Sequence, residues 1–192
     1  MTATTSPPAG NSFLDAIEVG RAAIDEMSSV RHLHSISAKR LAAGMLSEAE
    51  IAAFVDHIYS DGYSARMADV VAAGRLTTAR LSGELVGSAG WVVANDSGAV
   101  ARLIGVFVSP LYARHGIGRV LVAAAEAQAR QAGFVTFTVR APLGASAFFE
   151  HLGYDIASHG VWPLTRETAL PVAFLRKPDP TPRVVQFRPD AN

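Results

Sequence analysis

The sequence predicts an α/β (α+β) fold in which antiparallel strands surround one parallel strand–helix–strand unit, and three stretches carry that prediction. Residues 100–132 pass from an almost continuous apolar run, Val100–Val108, through a polar loop into apolar positions at helical spacing. Residues 134–139, Phe-Val-Thr-Phe-Thr-Val, follow directly and are rich in β-branched and aromatic side chains, so they form the next strand. A helix joins these two strands, which should therefore run parallel with a right-handed crossover. Upstream, Leu76–Leu81 and residues 85–94 flank Ser82-Gly83-Glu84, a glycine turn that makes an antiparallel hairpin and then a meander into Val100.

In chain order, residues 1–12 are small, polar and proline-containing and are expected to be a flexible tail. Ile17-Glu18-Val19 begins an alternating pattern, a first strand. From Asp25 the apolar positions Met27, Val30, Leu33 and Leu41 describe a helix closed by Gly44. Ser47 with Glu50 is a capping box, and Ile51, Phe54, Val55 and Ile58 form the apolar face of the helix it opens. Asp61-Gly62 marks a turn, and residues 63–73 give a third, short helical piece ended by Gly74. Residues 95–98 turn the chain into the Val100 strand, whose following helix ends at Gly133. A short helix over residues 144–152, ended by Gly153, and two strands over 154–162 and 169–175 complete the order. Residues 179–192 form a second tail, in which Val184, Val185 and Phe187 are the docking residues if any are. One domain, residues 13–178, is the expectation.

Composition narrows the chemistry. The 192 residues are 49% hydrophobic, enough for a sizeable core. Lys plus Arg and Asp plus Glu are 17 each, so no net field draws the chain to nucleic acid or to an anionic membrane. With no cysteine, disulfides, thiolate metal sites and a cysteine nucleophile are excluded. Neither a basic-then-apolar leader nor a run approaching ~18 apolar residues is present, so a cytoplasmic location is expected, alone or as a homodimer.

The motif that carries chemistry is the loop ending in Gly116-Ile117-Gly118 at the start of a helix. Glycines there let a polyanion reach the free backbone N–H groups, and the helix dipole adds to the attraction. A P-loop would need a lysine and a hydroxyl after the second glycine, where Arg119 and Val120 stand. A dinucleotide fingerprint would need a third glycine at Leu121 and a tighter turn. The loop alone is also compatible with a plain strand-to-helix connection without a ligand.

Its flanks say more. Residues 100–132, with Val108-Ser109-Pro110 and a basic G-x-G opening a long Ala-rich helix, resemble motif A of the GNAT acetyltransferase superfamily. That motif reads R/Q-x-x-G-x-G/A, and here Ala113-Arg114-His115-Gly116-Ile117-Gly118 keeps both glycines but displaces the basic residue by one. Ala145-Ser146-Ala147-Phe148-Phe149-Glu150-His151-Leu152-Gly153-Tyr154 is similar to motif B, A-x-x-F-Y-x-x-x-G-F, with Phe149 in place of the tyrosine and Gly144 where an asparagine often precedes. The resemblance covers roughly residues 14–178. It implies the GNAT fold: a mixed, mostly antiparallel sheet with helices on both faces and a central parallel pair splayed at a bulge. Gly105, in mid-strand, is where such a bulge would fall, although a glycine kept for packing is the plainer reading. Also implied are acetyl-CoA as co-substrate, a pantetheine arm pairing with Val106, Phe107 and Val108, and a pyrophosphate held by Arg114, His115, Gly116, Ile117, Gly118 and Arg119.

Acetyl transfer to an amine sets two tasks of unequal size. Freeing the lone pair of an amine of pKa ~10.4 at pH 7 costs roughly 4 to 5 kcal/mol, whereas protonating a thiolate of pKa ~8.5 is worth only about 2. Phe149 has no proton to give, and Tyr154, Ser146, Tyr112 or a water stand as substitutes. The strand Val100–Val108 holds no carboxylate to act as base; His34, His57, Glu84 and His151 are the titratable candidates by region. His32 and His34 point to different helix faces and make no metal pair, so no metal site is expected. The strand bearing Trp91 and the helices of residues 25–73 should wall the acceptor side, with Tyr59, Tyr63 and Arg66 facing a small-molecule amine or a peptide N-terminus. The expected function is N-acetyl transfer by direct attack on the thioester; a non-catalytic acyl-CoA-binding or sensing domain is the alternative.

Overall fold

A computed structural model describes residues 12–42, 46–94 and 100–178. Of the expected tails 1–12 and 179–192, all but Ser12 lie outside the described residues, as do the helix end at Gly44 and the turn at 95–98. Seven strands form one sheet: β1 (Ile17–Arg21), β2 (Leu76–Leu81), β3 (Glu84–Val93), β4 (Val100–Val108), β5 (Thr136–Pro142), β6 (Asp155–Pro163) and β7 (Ala169–Pro178). Their spatial order is β1-β2-β3-β4-β5-β7-β6, and every neighbouring pair is antiparallel except β4 with β5. The helices are α1 (Ser12–Asp15), α2 (Met27–Ala42), α3 (Glu48–Tyr59), α4 (Asp61–Ala72), α5 (Ile117–Gln131) and α6 (Ser146–Glu150).

Local sequence explains these boundaries. Ser47 accepts the Glu50 N–H while the Glu50 carboxylate takes the Ser47 N–H, the reciprocal cap that starts α3. Helix α5 is strongly amphipathic: Leu121, Val122, Ala125 and Ala129 are buried while Arg119, Ala123 and Ala127 face water. It lies on one face of the sheet over Leu103, Phe137 and Leu175. Helices α2, α3 and α4 cover the other face, in two smaller clusters around Val30, Met67 and Leu76 and around Phe54, Ile58 and Leu170. Cover on both faces suits the largely apolar sequence of β4, whereas β5 alternates, burying Phe137, Val139 and Ala141 on the α5 face.

Four expectations shift. Asp61 and Gly62, expected as a turn, instead open α4, because the Ser60 side chain caps it by accepting the Tyr63 N–H. A short helix, α1, stands at the junction of the expected tail and the domain. Phe134 and Val135 are not strand: the Phe134 N–H closes the end of α5 on the Ala129 carbonyl at 3.0 Å, its ring packs 5.1 Å from Trp91, and β5 begins only at Thr136. Trp91 itself lies on the α5 face, so it does not wall the opposite side as expected.

Candidate acyl-transfer site

Between Gly90↔Ile104 and Ser88↔Phe107 the antiparallel ladder advances two residues on β3 and three on β4. The surplus residue is a bulge on β4, and Gly105 within it has φ +60°, a left-handed conformation that glycine adopts without penalty. A Cβ there would sit 3.2 Å from the Met67 Cε and 3.5 Å from the His34 Cε1. Parallel pairing of β4 with β5 stops at Leu103↔Val139, although β4 continues to Val108 and β5 goes on pairing with β7 as far as Pro142↔Val172. The two strands therefore part, and beyond Leu103 the side of β4 away from β3 faces a wedge instead of a neighbouring strand, with the Ser37 hydroxyl donating to the Val108 carbonyl at its end at 2.8 Å.

A buried relay fixes the bulge. The Ser88 hydroxyl donates its one proton to the Gly105 carbonyl at 2.7 Å. The His34 Nε2, 2.7 Å from the Ser88 Oγ, must then be the donor to that hydroxyl oxygen, which leaves Nδ1 to accept from the Tyr63 hydroxyl at 2.7 Å. The order is Tyr63 to His34 to Ser88 to Gly105, with each proton assigned. His34 is wholly buried, and burial pushes its pKa down to about 3, so the ring is neutral as this order requires. Burial also raises the Tyr63 hydroxyl pKa, keeping it protonated. The ring of Phe107 stacks on His34 at 4.3 Å.

The wedge opens into a cleft of about 140 Å³ on the face covered by α2–α4. Gly105, Val106, Phe107, Phe149, Tyr63 and Met67 line it, together with Arg66, Arg102, Arg140, His57 and Trp162. Arg140 lies 3.9 Å over the Trp162 ring, whose edge meets His57 at 4.8 Å. The His57 Nε2 is buried and has no partner among the described residues. Burial first, then the charges of Arg66 and Arg140, hold the pKa of this imidazole below the ordinary histidine value.

At the far end of β4, Ser109 starts a 3-10 turn with Pro110 in its first position, and Arg114 and Gly116 take φ +67° and +87°. Gly116 is the N-cap of α5, without a side-chain cap and without an acidic residue in the first turn, so the leading N–H groups and the positive helix end are uncompensated by protein carboxylate. Gly118 is packed so closely that a Cβ would lie 3.0 Å from the Phe148 ring. Arg114, His115 and Arg119 are exposed around this helix start. The His115 ring packs 4.9 Å from Phe13, and its Nδ1 lies 2.9 Å from the Ala113 carbonyl. None of residues 113–119 lines the cleft.

Of the candidate catalytic residues, His34 is placed at the bulge but wholly engaged in the relay. Tyr154 sits on the α5 face, where its hydroxyl donates to Glu126 at 2.8 Å, and Lys177 pairs with the same carboxylate at 3.0 Å. The Ser146 hydroxyl donates to the Leu143 carbonyl at 2.8 Å. Neither lines the cleft. Glu84 and His151 are exposed and also outside it, and Tyr59 is on the surface beside Arg31. Tyr63 and Arg66 do reach the cleft. Ser88, Arg102, Arg140 and Trp162 were not singled out by the sequence. Arg102, a lone charge within the apolar Val100–Val108 run, is the signal that could have found them: it pairs with Thr138 across the parallel strands, so Arg140 follows on the same face.

Against known proteins, residues 44–154 match the model of the Acetyltransferase (GNAT) family. No curated protein matches the sequence significantly. Many solved structures share the fold. A GCN5-related N-acetyltransferase from Rhodopseudomonas palustris is 20% identical with TM-score 0.70, the match covering 84% of this chain and 94% of that one. The PaiA N-acetyltransferase of Thermoplasma acidophilum, in complex with coenzyme A, is 17% identical with TM-score 0.67 over 84% and 98% of the two chains. YncA of Salmonella typhimurium, with its cofactor acetyl-CoA, is 15% identical with TM-score 0.61 over 92% and 99%.

Proposed function

We propose, from the premise that this chain belongs to the GNAT acetyltransferase family, that it transfers an acetyl group from acetyl-CoA to the amine of a small molecule or a peptide N-terminus. The observation that carries the reading is the parting of β4 and β5 at the Gly105 bulge, directly upstream of the glycine-capped start of α5. The free N–H groups around Gly116, Ile117 and Gly118, flanked by Arg114, His115 and Arg119, suit the coenzyme pyrophosphate. Around Val106 the β4 main chain has no strand partner on the β5 side, whereas Phe107 pairs with Ser88 and the Val108 carbonyl accepts from the Ser37 hydroxyl at 2.8 Å; the amides of a pantetheine arm lying along Val106, Phe107 and Val108 supply the missing partners. The thioester then reaches the bulge, and the amine enters from the opposite, arginine-lined cleft.

There the amine attacks the thioester carbonyl carbon, the C–S bond breaks, and coenzyme A leaves as thiolate while the amine nitrogen loses a proton. His57 is the acceptor for that proton, because it lines the cleft, its Nε2 has no hydrogen-bond partner among the described residues, and its depressed pKa keeps it neutral at pH 7. The Tyr63–His34–Ser88 relay holds the Gly105 carbonyl, and with it the bulge, in place. Phe149 has no hydroxyl with which to protonate the leaving sulfur, and water can supply that smaller contribution of about 2 kcal/mol.

The test is release of free thiol from acetyl-CoA with and without a panel of amines, in the native protein and in His57→Ala. Amine-dependent release, reduced about 10²- to 10⁴-fold in kcat by the substitution with coenzyme affinity unchanged, is expected. An unaltered kcat would remove His57 from the chemistry. Coenzyme binding without turnover on any amine would favour a sensing domain.

A further inference from the structure

Overall the chain is electrically neutral, yet its cleft is not. Arg66 from α4, Arg102 from β4 and Arg140 from β5 converge there, and no Asp or Glu is among the lining residues. The guanidiniums are near enough that Arg102 and Arg66 both act on Arg140, and Arg66 and Arg140 both act on His57. The ion pairs among the described residues lie elsewhere, with Glu26 taking Arg80 and Glu126 taking Arg130 and Lys177. Three like charges gathered without a counter-charge cost free energy unless a ligand supplies it. Arg140 is also pre-oriented by its stacking on Trp162, which fixes the planar fork that matches a carboxylate or phosphate.

We infer that Arg66, Arg102 and Arg140 bind an anionic group carried by the acetyl acceptor, so that the acceptor is a small amine bearing a carboxylate or a phosphate, such as an amino acid or a phosphorylated amine. This rests on the acetyltransferase reading above, and it names the substrate class of that site. The same cluster repels cations, so a polyamine, which carries no anion, is disfavoured as an acceptor.

The test compares amino acids with their carboxamides, and O-phosphoethanolamine with ethanolamine, as acceptors in the thiol-release assay. Carboxamides have the more readily deprotonated amine, so chemistry alone favours them; a preference of about tenfold or more for the charged member is recognition. The amino-acid and phosphate pairs separate the two sources of the anion. Arg102→Gln and Arg140→Gln should each raise KM for the charged acceptor about 10- to 100-fold, with a smaller change in kcat and none in acetyl-CoA affinity. Arg102 is exposed, so its variant keeps the fold. Equal kcat/KM for charged and neutral members overturns the inference and leaves the acetyltransferase reading standing. Loss of acetyl-CoA affinity in the arginine variants overturns it too, by assigning the arginines to the coenzyme phosphates. Calorimetric titration of the charged amine into coenzyme-free protein gives an independent arm: binding that the arginine variants lose upholds the anion site even where acetyl-CoA fails to bind, an outcome that overturns the acetyltransferase reading alone.

Discussion

Acidification from pH 7 to pH 5 should destabilise the fold by about 2 kcal/mol through His34 alone. In the folded chain this imidazole is wholly buried, its two nitrogens are occupied by Tyr63 and Ser88, and its pKa is pushed down to about 3. Unfolded, it titrates near the ordinary value of ~6.5. A folded pKa below the unfolded one means that the unfolded chain binds the proton first, so the stabilisation is complete above pH 6.5 and is lost as pH falls toward 3. A pH of 5 lies ~1.5 units below the pKa of the unfolded imidazole, which at ~1.36 kcal/mol per unit gives the stated loss. For a chain of this length that corresponds to roughly 4 to 8 °C in Tm. His34→Asn removes the titration. It should lower Tm at pH 7 by breaking the relay, but should lose less Tm than the native protein between pH 7 and pH 5, by that same interval. Parallel Tm curves for the two proteins, or a native His34 resonance titrating near 6.5 by NMR, would refute the buried neutral relay.

Further perturbations follow from the same geometry. Gly105→Ala forces an L-residue into φ +60° and should cost about 1 to 2 kcal/mol by chemical denaturation, with the Met67 side chain yielding to the new methyl; an unchanged midpoint would mean the bulge is not held there. Ser88→Ala orphans both the Gly105 carbonyl and the His34 N–H, and should cost about 1 to 3 kcal/mol in stability while lowering kcat. Phe149→Tyr should raise kcat by at most ~30-fold, the equivalent of the ~2 kcal/mol that thiolate protonation is worth, and log(kcat/KM) should rise with pH as neutral amine accumulates. A gain of several orders of magnitude would mark the native chain as a coenzyme-binding domain that has lost its chemistry.

Much of this architecture is legible in the residues, because local patterns decide it. The change from an apolar run to helical spacing across Gly116 fixes β4, its loop and α5, and the Ser47–Glu50 pair fixes the start of α3. Gly105 could be read as a bulge because a mid-strand glycine needs a reason. The limits are equally physical. Phe134 and Val135 have strand-like side chains but serve the end of α5, where a backbone bond to Ala129 outweighs β-propensity. The cleft draws on α3, α4, β4, β5 and β6, so its charge is visible only once the sheet brings Arg102 beside Arg140. The relay joins His34 to Ser88 across 54 residues, a contact that no local pattern encodes. Tyr154, attractive by type and position, is turned toward Glu126 by the fold.

Coenzyme entry at the glycine-capped start of α5 is the step on which acetyl transfer by this chain turns. Gly118 is the position to perturb: its backbone is ordinary helix, and a side chain there meets the Phe148 ring and adds bulk where the pyrophosphate would lie. Acetyl-CoA titrated calorimetrically into the native protein and into Gly118→Glu, each shown folded by its thermal transition, tests the claim directly. Saturable binding to the native chain, abolished by the added carboxylate, is the result expected. Undiminished affinity in Gly118→Glu would contradict the account.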